Sequence, residues 1–264
     1  MTFLLSKFLK IKGIRDRVVS ILKYKYFHEL GHSIPLKNGF WAELLEIDSY
    51  DSFSEIFVQR EYEDYLPSIS ISRVLDIGSN YGYFSLSIQS IFPENQLMTL
   101  MIEPSPRCSR TLNKLIQNNK TEDSFQYLKR MVGNPLDDEG IFFDRPYMSG
   151  SSFKSSDDAE KIRIPILTEQ DVKSKLPPPY DLIKCDIEGS ELELLKNYPT
   201  LINRTKYLLL EWHSWHNGGA EYSQIEEQLH ISNFEITKSS TAIPAVGREG
   251  LVGLILAKNL SFKT

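Results

Sequence analysis

From residue 73 onward, short apolar runs alternate with helical segments, and this alternation limits the fold more than any other feature of the chain. Residues 74–77 (Val-Leu-Asp-Ile) predict a buried strand and 81–91 a helix, followed by a strand at 97–102 and a helix at 105–118. Further strands are predicted at 125–128, 182–185 and 207–211, with helices at 190–196 and 221–229. Residues 130–166 predict hairpins and loops, and Thr168 caps a short helix that stops before Pro177-Pro178-Pro179. The last two runs, 234–237 and 251–257, have no helical pattern between them and predict an antiparallel closing pair. Parallel strands need crossover helices, so the expectation is an α/β chain with a doubly wound parallel sheet.

The sheet is expected to occupy residues 73–264, with residues 1–72 as a mainly helical extension. A helical stretch is predicted near 54–65, with Ser52 or Ser54 as its N-cap. Charge separates the two parts. Residues 1–37 hold eight Lys/Arg against Asp16 and Glu29, a net +6, so a total of -5 leaves -11 for the rest. An acidic body argues against nucleic acid as the main partner, because phosphate binding needs a basic face. The basic arm has helical apolar spacing (Phe8, Ile11, Ile14, Val18, Ile21, Leu22). Two readings follow: a helix laying its apolar stripe on the body, or one lying on an anionic membrane surface. Joining two subunits into a homodimer, or capping the site, are further roles for this arm. Its lysines and the lack of a small-residue cleavage site argue against a signal peptide. The run 251–257 is far shorter than the ~18 residues of a membrane span. Two cysteines, Cys108 and Cys185, give neither a disulfide framework nor a four-cysteine zinc site, so a cytoplasmic protein is expected.

Three segments carry the chemistry. The first strand ends in Asp76-Ile77-Gly78-Ser79-Asn80-Tyr81-Gly82, where glycine permits a tight turn and the next helix offers free N–H groups. The spacing differs from the dinucleotide pattern G-x-G-x-x-G, and a carboxylate at Asp76 suits a cationic ligand better than a pyrophosphate. The second strand ends in Glu103-Pro104, and a carboxylate there can accept hydrogen bonds from both ribose hydroxyls. Together these describe a pocket for a nucleoside with a positive amino-acid tail, which S-adenosyl-L-methionine has. The third segment, residues 181–193, runs from a strand into an acid cluster and a helix. Ser190-x-x-Glu193 reads as a capping box, and Glu188 and Glu191 complement the helix dipole, but neither feature accounts for Asp186.

The stretch from Val74 through Ser85, the segment Ile183-Lys184-Cys185-Asp186-Ile187-Glu188-Gly189-Ser190-Glu191, Glu103-Pro104 and Leu209-Leu210-Glu211-Trp212-His213 resemble the FkbM family of S-adenosylmethionine-dependent methyltransferases. The resemblance covers residues from about 52 to 258 and implies a seven-stranded class I methyltransferase fold. It also implies O-methylation, often of a sugar or polyketide hydroxyl. On this resemblance Asp76 and Gly78 line the methionine end of the cofactor, with Asn80, Tyr81 and Gly82 in the same loop and Asp186 also contacting the cofactor, next to its methyl group. Glu103 holds the ribose, and Met131-Val132 flank the adenine. Cys185 stands where a hydrophobic residue is common.

Methyl transfer to an aliphatic hydroxyl needs an aligned acceptor and a group to take its proton. Asp186 ends the fourth core strand, and Glu211 and His213, two apart on a strand, point to one side. His213, with an ordinary pKa near 6.5, is a candidate general base. Glu188, the aromatics Tyr147, Phe153, Trp212 and Trp215, the loops from 140 to 156 and the region before Arg73 are expected to shape the acceptor pocket for a small-molecule or glycan hydroxyl. Asp186, Glu188, Glu211 and His213 offer ligand types for a Mg²⁺-like ion, but their spacing does not demand one and no metal is assigned. A nucleotide-dependent oxidoreductase would require the missing G-x-G-x-x-G. A non-catalytic cofactor-binding scaffold would tolerate alanine at Asp186 or His213.

Overall fold

The computed structural model describes residues 12–25, 33–36, 39–92, 96–144, 160–215, 220–245 and 249–262. Its centre is a sheet of seven strands with one short addition. The strands are β3 (Arg73–Ile77), β4 (Met98–Ile102), β5 (Phe125–Leu128), β8 (Tyr180–Cys185), β9 (Thr205–Trp215), β10 (Phe234–Ser239) and β12 (Gly250–Asn259). They lie in the order β10-β12-β9-β8-β3-β4-β5. β3 pairs in parallel with β4 and β8, β4 with β5, and β8 with β9. β12 is antiparallel to both neighbours, β9 and β10, and so is the reversed last strand the sequence predicts. The short strand β11 (Ile243–Pro244) pairs with β12 at the end near His213.

Sheet interiors buried on both faces require apolar strands, and β8 is buried at every position. One face packs under helices α6 (Glu191–Asn197), α7 (Pro199–Asn203) and α8 (Tyr222–Ile231), through Ile183, Leu208, Leu210 and Ile255. The other face packs under α3 (Tyr83–Ile91) and α4 (Pro106–Asn119), through Val74, Met101, Leu182 and Leu209. Ser105 caps α4 by accepting from the Arg107 N–H, with Pro106 at the first helical position. Thr168 and Asp171 form a capping box on α5 (Glu169–Lys175), a helix whose cap the sequence predicts. A hairpin of β6 (Glu139–Asp144) and β7 (Glu160–Pro165) occupies the region expected to hold hairpins.

The segment before the sheet departs from the expectation. Instead of a helix over 54–65, α2 (Ser49–Phe53) continues into a π-helical turn at Ser54–Gln59. Arg60, at φ 59, breaks it, and a short 3-10 turn follows at Glu63–Tyr65. Asp48, not a serine, is the N-cap. The boundary expected at residue 72 is not a break in packing: Ala42, Leu44, Tyr50, Tyr62 and Ile71 are buried in the same cluster as Val74, Leu86 and Leu209. β2 (Trp41–Glu43), paired with β1 (Ser33–Pro35), is tied to α4 where Asn118 donates to Glu43. The basic helix α1 (Lys12–Lys25) leaves Ile14, Val18 and Ile21 partly exposed, at 39%, 36% and 44%. Among the described residues no helix is long and apolar enough to cross a membrane. Cys108 and Cys185 are both buried, and neither forms a disulfide among the described residues.

Candidate active site

A cavity of about 540 Å³ opens at the carboxyl ends of β3, β4, β8 and β9, where ligands bind in open α/β sheets. Backbone bonds hold these strand ends together: Gly78 N–H donates to Ile102 O at 2.9 Å, and Asp186 N–H to Ile77 O at 3.0 Å. Gly78 sits at φ +73, and a side-chain carbon there would fall 1.7 Å from the Asp186 carbonyl oxygen. Only glycine lets the two strand ends close this tightly.

At one end of the cavity, Glu103 is buried, and its two oxygens accept from the backbone N–H groups of Asn80 and Ser105, each at 2.9 Å. Burial pushes its carboxyl up to about 7, against the pull of those two donors. Pro104, Met131 and Val132 line the same end, together with Phe142 from the hairpin. Asn80 and Tyr81 line it too, and their side chains also reach the preceding segment. Asn80 donates to Ser52 Oγ at 2.9 Å, and the Tyr81 hydroxyl donates to Asp48 at 2.6 Å.

Ser79 is a wall residue that sequence reasoning passed over. The residue lines the cavity, and its hydroxyl is buried with no hydrogen-bond partner among the described residues. A buried unsatisfied hydroxyl beside an ionisable carboxylate and an apolar slot fits a ligand with polar and aromatic parts. The residues present therefore fit an adenosyl cofactor.

Two residues assigned to the cofactor lie elsewhere. Asp76 is fully buried behind the wall, where Ser85 donates to its Oδ2 at 2.6 Å and Lys184 Nζ lies 3.7 Å from its Oδ1. Its cationic partner is a protein lysine on the register-paired position of β8, not a ligand. Gly82 caps α3 at φ +80 and packs on α4; a side-chain carbon there would meet Leu112 at 2.8 Å.

At the other end, Asp186, Glu211 and His213 come together on the wall, one ligand-type atom of each lying within 4.8 Å of the others. His213 Nε2 is 3.9 Å from Asp186 Oδ1 and 3.7 Å from Glu211 Oε1. The opposite oxygens are engaged from the far side. Lys184 Nζ is 3.4 Å from Asp186 Oδ2, and the Tyr62 hydroxyl donates to Glu211 Oε2 and lies 3.5 Å from Asp186 Oδ2. Lys184 also donates to Gly78 O at 2.9 Å and lies 5.7 Å from the centre of the Tyr62 ring.

Glu191 anchors His213 from behind: its Oε1 is 3.0 Å from Nδ1 and also accepts from the Ile187 and Gly189 N–H groups. The expected capping box is absent, since Ser190 makes no side-chain bond to the helix. Glu191 therefore serves the histidine rather than only the helix dipole.

These contacts set the protonation states. Burial alone would lower His213, but Glu191 and then Glu211 outweigh it and hold the imidazole well above its ordinary value. A protonated imidazole cannot accept a proton, so His213 serves as a base only where that proton is displaced. Asp186 is pushed up to about 6 by burial and by the Glu211 charge, against Lys184 and His213. Burial would raise Glu211 too, but His213, Tyr62 and Lys184 together hold it below the usual range. Glu55 and Glu61 stand at the cavity mouth with one side open to solvent. Partial desolvation, followed by repulsion from Glu211, pushes their carboxyls above the usual range.

Glu188 lines the cavity. Trp212 does not: it points to the opposite face of β9, buried, with its ring 5.6 Å from that of Tyr222. Strand alternation puts 211 and 213 on the cavity side and 212 in the core. Tyr147, Phe153 and the side chain of Trp215 lie outside the described residues. Tyr62, Glu55, Glu61, Ser79, Lys184 and Glu191 are site residues that sequence reasoning missed.

Comparison with known proteins agrees with this architecture. A search of curated proteins finds no match. The chain is similar to the crystal structure of methyltransferase FkbM from Methylobacillus flagellatus KT, with a TM-score of 0.50 and 16% identity over 79% of this chain and 50% of that one. It is also similar to a putative transferase, PH0793, from Pyrococcus horikoshii, with a TM-score of 0.49, 12% identity and coverage of 97% and 85%. A third similar structure is TrmK of M. capricolum in complex with S-adenosyl-homocysteine, with a TM-score of 0.45, 11% identity and coverage of 77% and 68%. The methyltransferase FkbM domain matches residues 76–236, more than half of the chain. The sheet order, the cavity at its carboxyl edge and this match place the chain in the FkbM methyltransferase family.

Proposed function

We propose that this S-adenosylmethionine-dependent methyltransferase acts on a hydroxyl of a sugar, glycan or polyhydroxylated small molecule. The observation that carries the reading is the convergence of Asp186, Glu211 and His213 on the wall beside Gly78. When bound, the cofactor supplies an electrophilic methyl group on a sulfonium. Glu103, Ser79 and the backbone of residues 78–81 would hold its nucleoside and amino-acid parts, with Met131, Val132 and Phe142 beside the base.

An aliphatic hydroxyl is a weak nucleophile, and the Asp186–Glu211–His213 cluster is the group of side chains suited to orient and activate it. Tyr62 and Lys184 fix the carboxylates in place, so little reorganisation is needed when an acceptor arrives. Eight carboxylate side chains line the cavity, against Lys184, Arg130 and His213 as its cationic side chains. That balance suits hydroxyl-rich acceptors and disfavours phosphate-rich nucleic acid.

The test is to incubate the protein with S-adenosylmethionine and a panel of glycans, nucleotide sugars and polyols, measuring S-adenosylhomocysteine released and the methylated position. The expected result is transfer to a hydroxyl oxygen that Asp186→Asn reduces about 100-fold or more. Transfer to nitrogen, or undiminished activity in the variant, would overturn the reading.

A further inference from the structure

The Asp186–Glu211–His213 cluster is built as a three-sided holder. Each carboxylate has one oxygen engaged from behind, by Lys184 at Asp186 Oδ2 and by Tyr62 at Glu211 Oε2. The other oxygens, Oδ1 and Oε1, turn toward His213 Nε2 at 3.9 and 3.7 Å. The histidine is aimed by a buried carboxylate on its remote nitrogen, Glu191 Oε1 to Nδ1 at 3.0 Å. A carboxylate behind a histidine fixes the tautomer and ring orientation in metal sites.

Two oxygens and one imidazole nitrogen, donated from the ends of adjacent strands β8 and β9, thus face a common point on the cavity wall. Ligand atoms sharing one small divalent cation stand about 3.0–3.4 Å apart, from bonds of about 2.1 Å. The two oxygens need to close on Nε2 by less than about 1 Å to reach that spacing.

We propose that Asp186 Oδ1, Glu211 Oε1 and His213 Nε2 hold a divalent cation of the Mn²⁺ type, which grips the acceptor oxygen. This rests on the methyl-transfer reading and specifies how the cluster activates the hydroxyl. The cation draws charge from the O–H bond, whose electron pair stays on the metal-held oxygen. The proton passes to a carboxylate outside the coordination sphere, with Glu55 and Glu61 on the same cavity. On loading, the cation takes the place of the proton on Nε2, which leaves to solvent. A polyol could then place two oxygens on one ion, which favours a vicinal diol over an isolated alcohol.

The experiment is a Mn²⁺ titration of the full chain, stripped with chelator, read by the loss of the free-ion electron paramagnetic resonance signal. The expected result is one Mn²⁺ per chain, displaced by Mg²⁺ or Zn²⁺. Glu211→Gln and His213→Asn should abolish it, and Glu191→Gln should weaken it roughly 10–100-fold. The wild-type titration decides the proposal without relying on the folding of any variant. No saturable binding up to millimolar Mn²⁺, or binding unchanged in Glu211→Gln, overturns it. Calorimetry of S-adenosylhomocysteine in the presence of chelator reports separately on the methyltransferase reading, because the nucleoside end of the cavity shares no residue with the holder.

Discussion

Lys184 bridges two carboxylates, with its ammonium 3.7 Å from Asp76 Oδ1 behind the wall and 3.4 Å from Asp186 Oδ2 on it. The lysine is 4% exposed and Asp76 is fully buried, so neither charge has water to fall back on. Removing one partner strands the other, whereas removing both takes the penalty away. Lys184→Met should therefore cost about 3–5 kcal/mol of folding stability, and the double variant Lys184→Met/Asp76→Asn distinctly less. Urea denaturation of the two single variants and the double variant measures this. Additive losses would show that Asp76 and Lys184 act independently.

With Glu103 proposed to hold the cofactor ribose, cofactor binding should depend on pH. Its carboxyl is pushed up to about 7, so it is largely protonated at pH 6 and ionised at pH 8. Ribose hydroxyls donate best to the ionised form. Affinity for S-adenosylhomocysteine should rise about tenfold from pH 6 to pH 8, and binding below pH 7 should release a proton. Calorimetry in buffers of different ionisation enthalpy reads that proton, and Glu103→Gln should flatten the profile. Because the native value lies above the unfolded one, stability from this group falls as pH climbs from about 4.5 to 7. The apoprotein should accordingly unfold more easily in urea at pH 7.5 than at pH 5.5, with a smaller difference in Glu103→Gln.

Gly78→Ala places a carbon on the Asp186 carbonyl in a left-handed conformation. Backbone, not a flexible side chain, is in the way, so the strand ends must part. The expected loss exceeds about 4 kcal/mol, which is diagnostic for a single substitution. Thermal unfolding checks it. A variant with near-native stability would contradict the close approach of β3 and β8.

The exposed stripe Ile14, Val18 and Ile21 lies on a helix with five Lys/Arg against Asp16. Apolar side chains flanked by cations suit an anionic bilayer surface. Sedimentation with vesicles should show binding when anionic phosphatidylglycerol is present and none with phosphatidylcholine alone. Ile14→Glu/Val18→Glu should remove it, as should high salt. Binding that ignores lipid charge would point to the apolar stripe alone.

The sheet was legible because its strands carry their own signal: 74–77, 97–102 and 251–257 are apolar runs whose order and spacing admit few topologies. The pairing of Glu211 with His213 was legible for a similar reason, since alternation along a strand is local geometry. Tyr62 was not. It meets Asp186 and Glu211 across 124 and 149 residues of chain, and no local periodicity encodes such a contact. Asp76 misled for a different reason. Its position at a strand end agreed with ligand contact, while its real partner lies one strand over. Glu191 was hidden by a sufficient local explanation, the start of a helix, which left nothing further to account for.

The recognisable domain, residues 76–236, is smaller than the unit that can do the work. It stops before β12, which lies between β9 and β10 and pairs with both along the length of the sheet. It also starts after Tyr62, which hydrogen-bonds Glu211 on the cavity wall. A fragment cut at those borders would split the sheet in its interior and open one wall of the site. Transplanting or shuffling this unit requires carrying both flanks, one for the interior strand of the sheet and one for the tyrosine that holds Glu211.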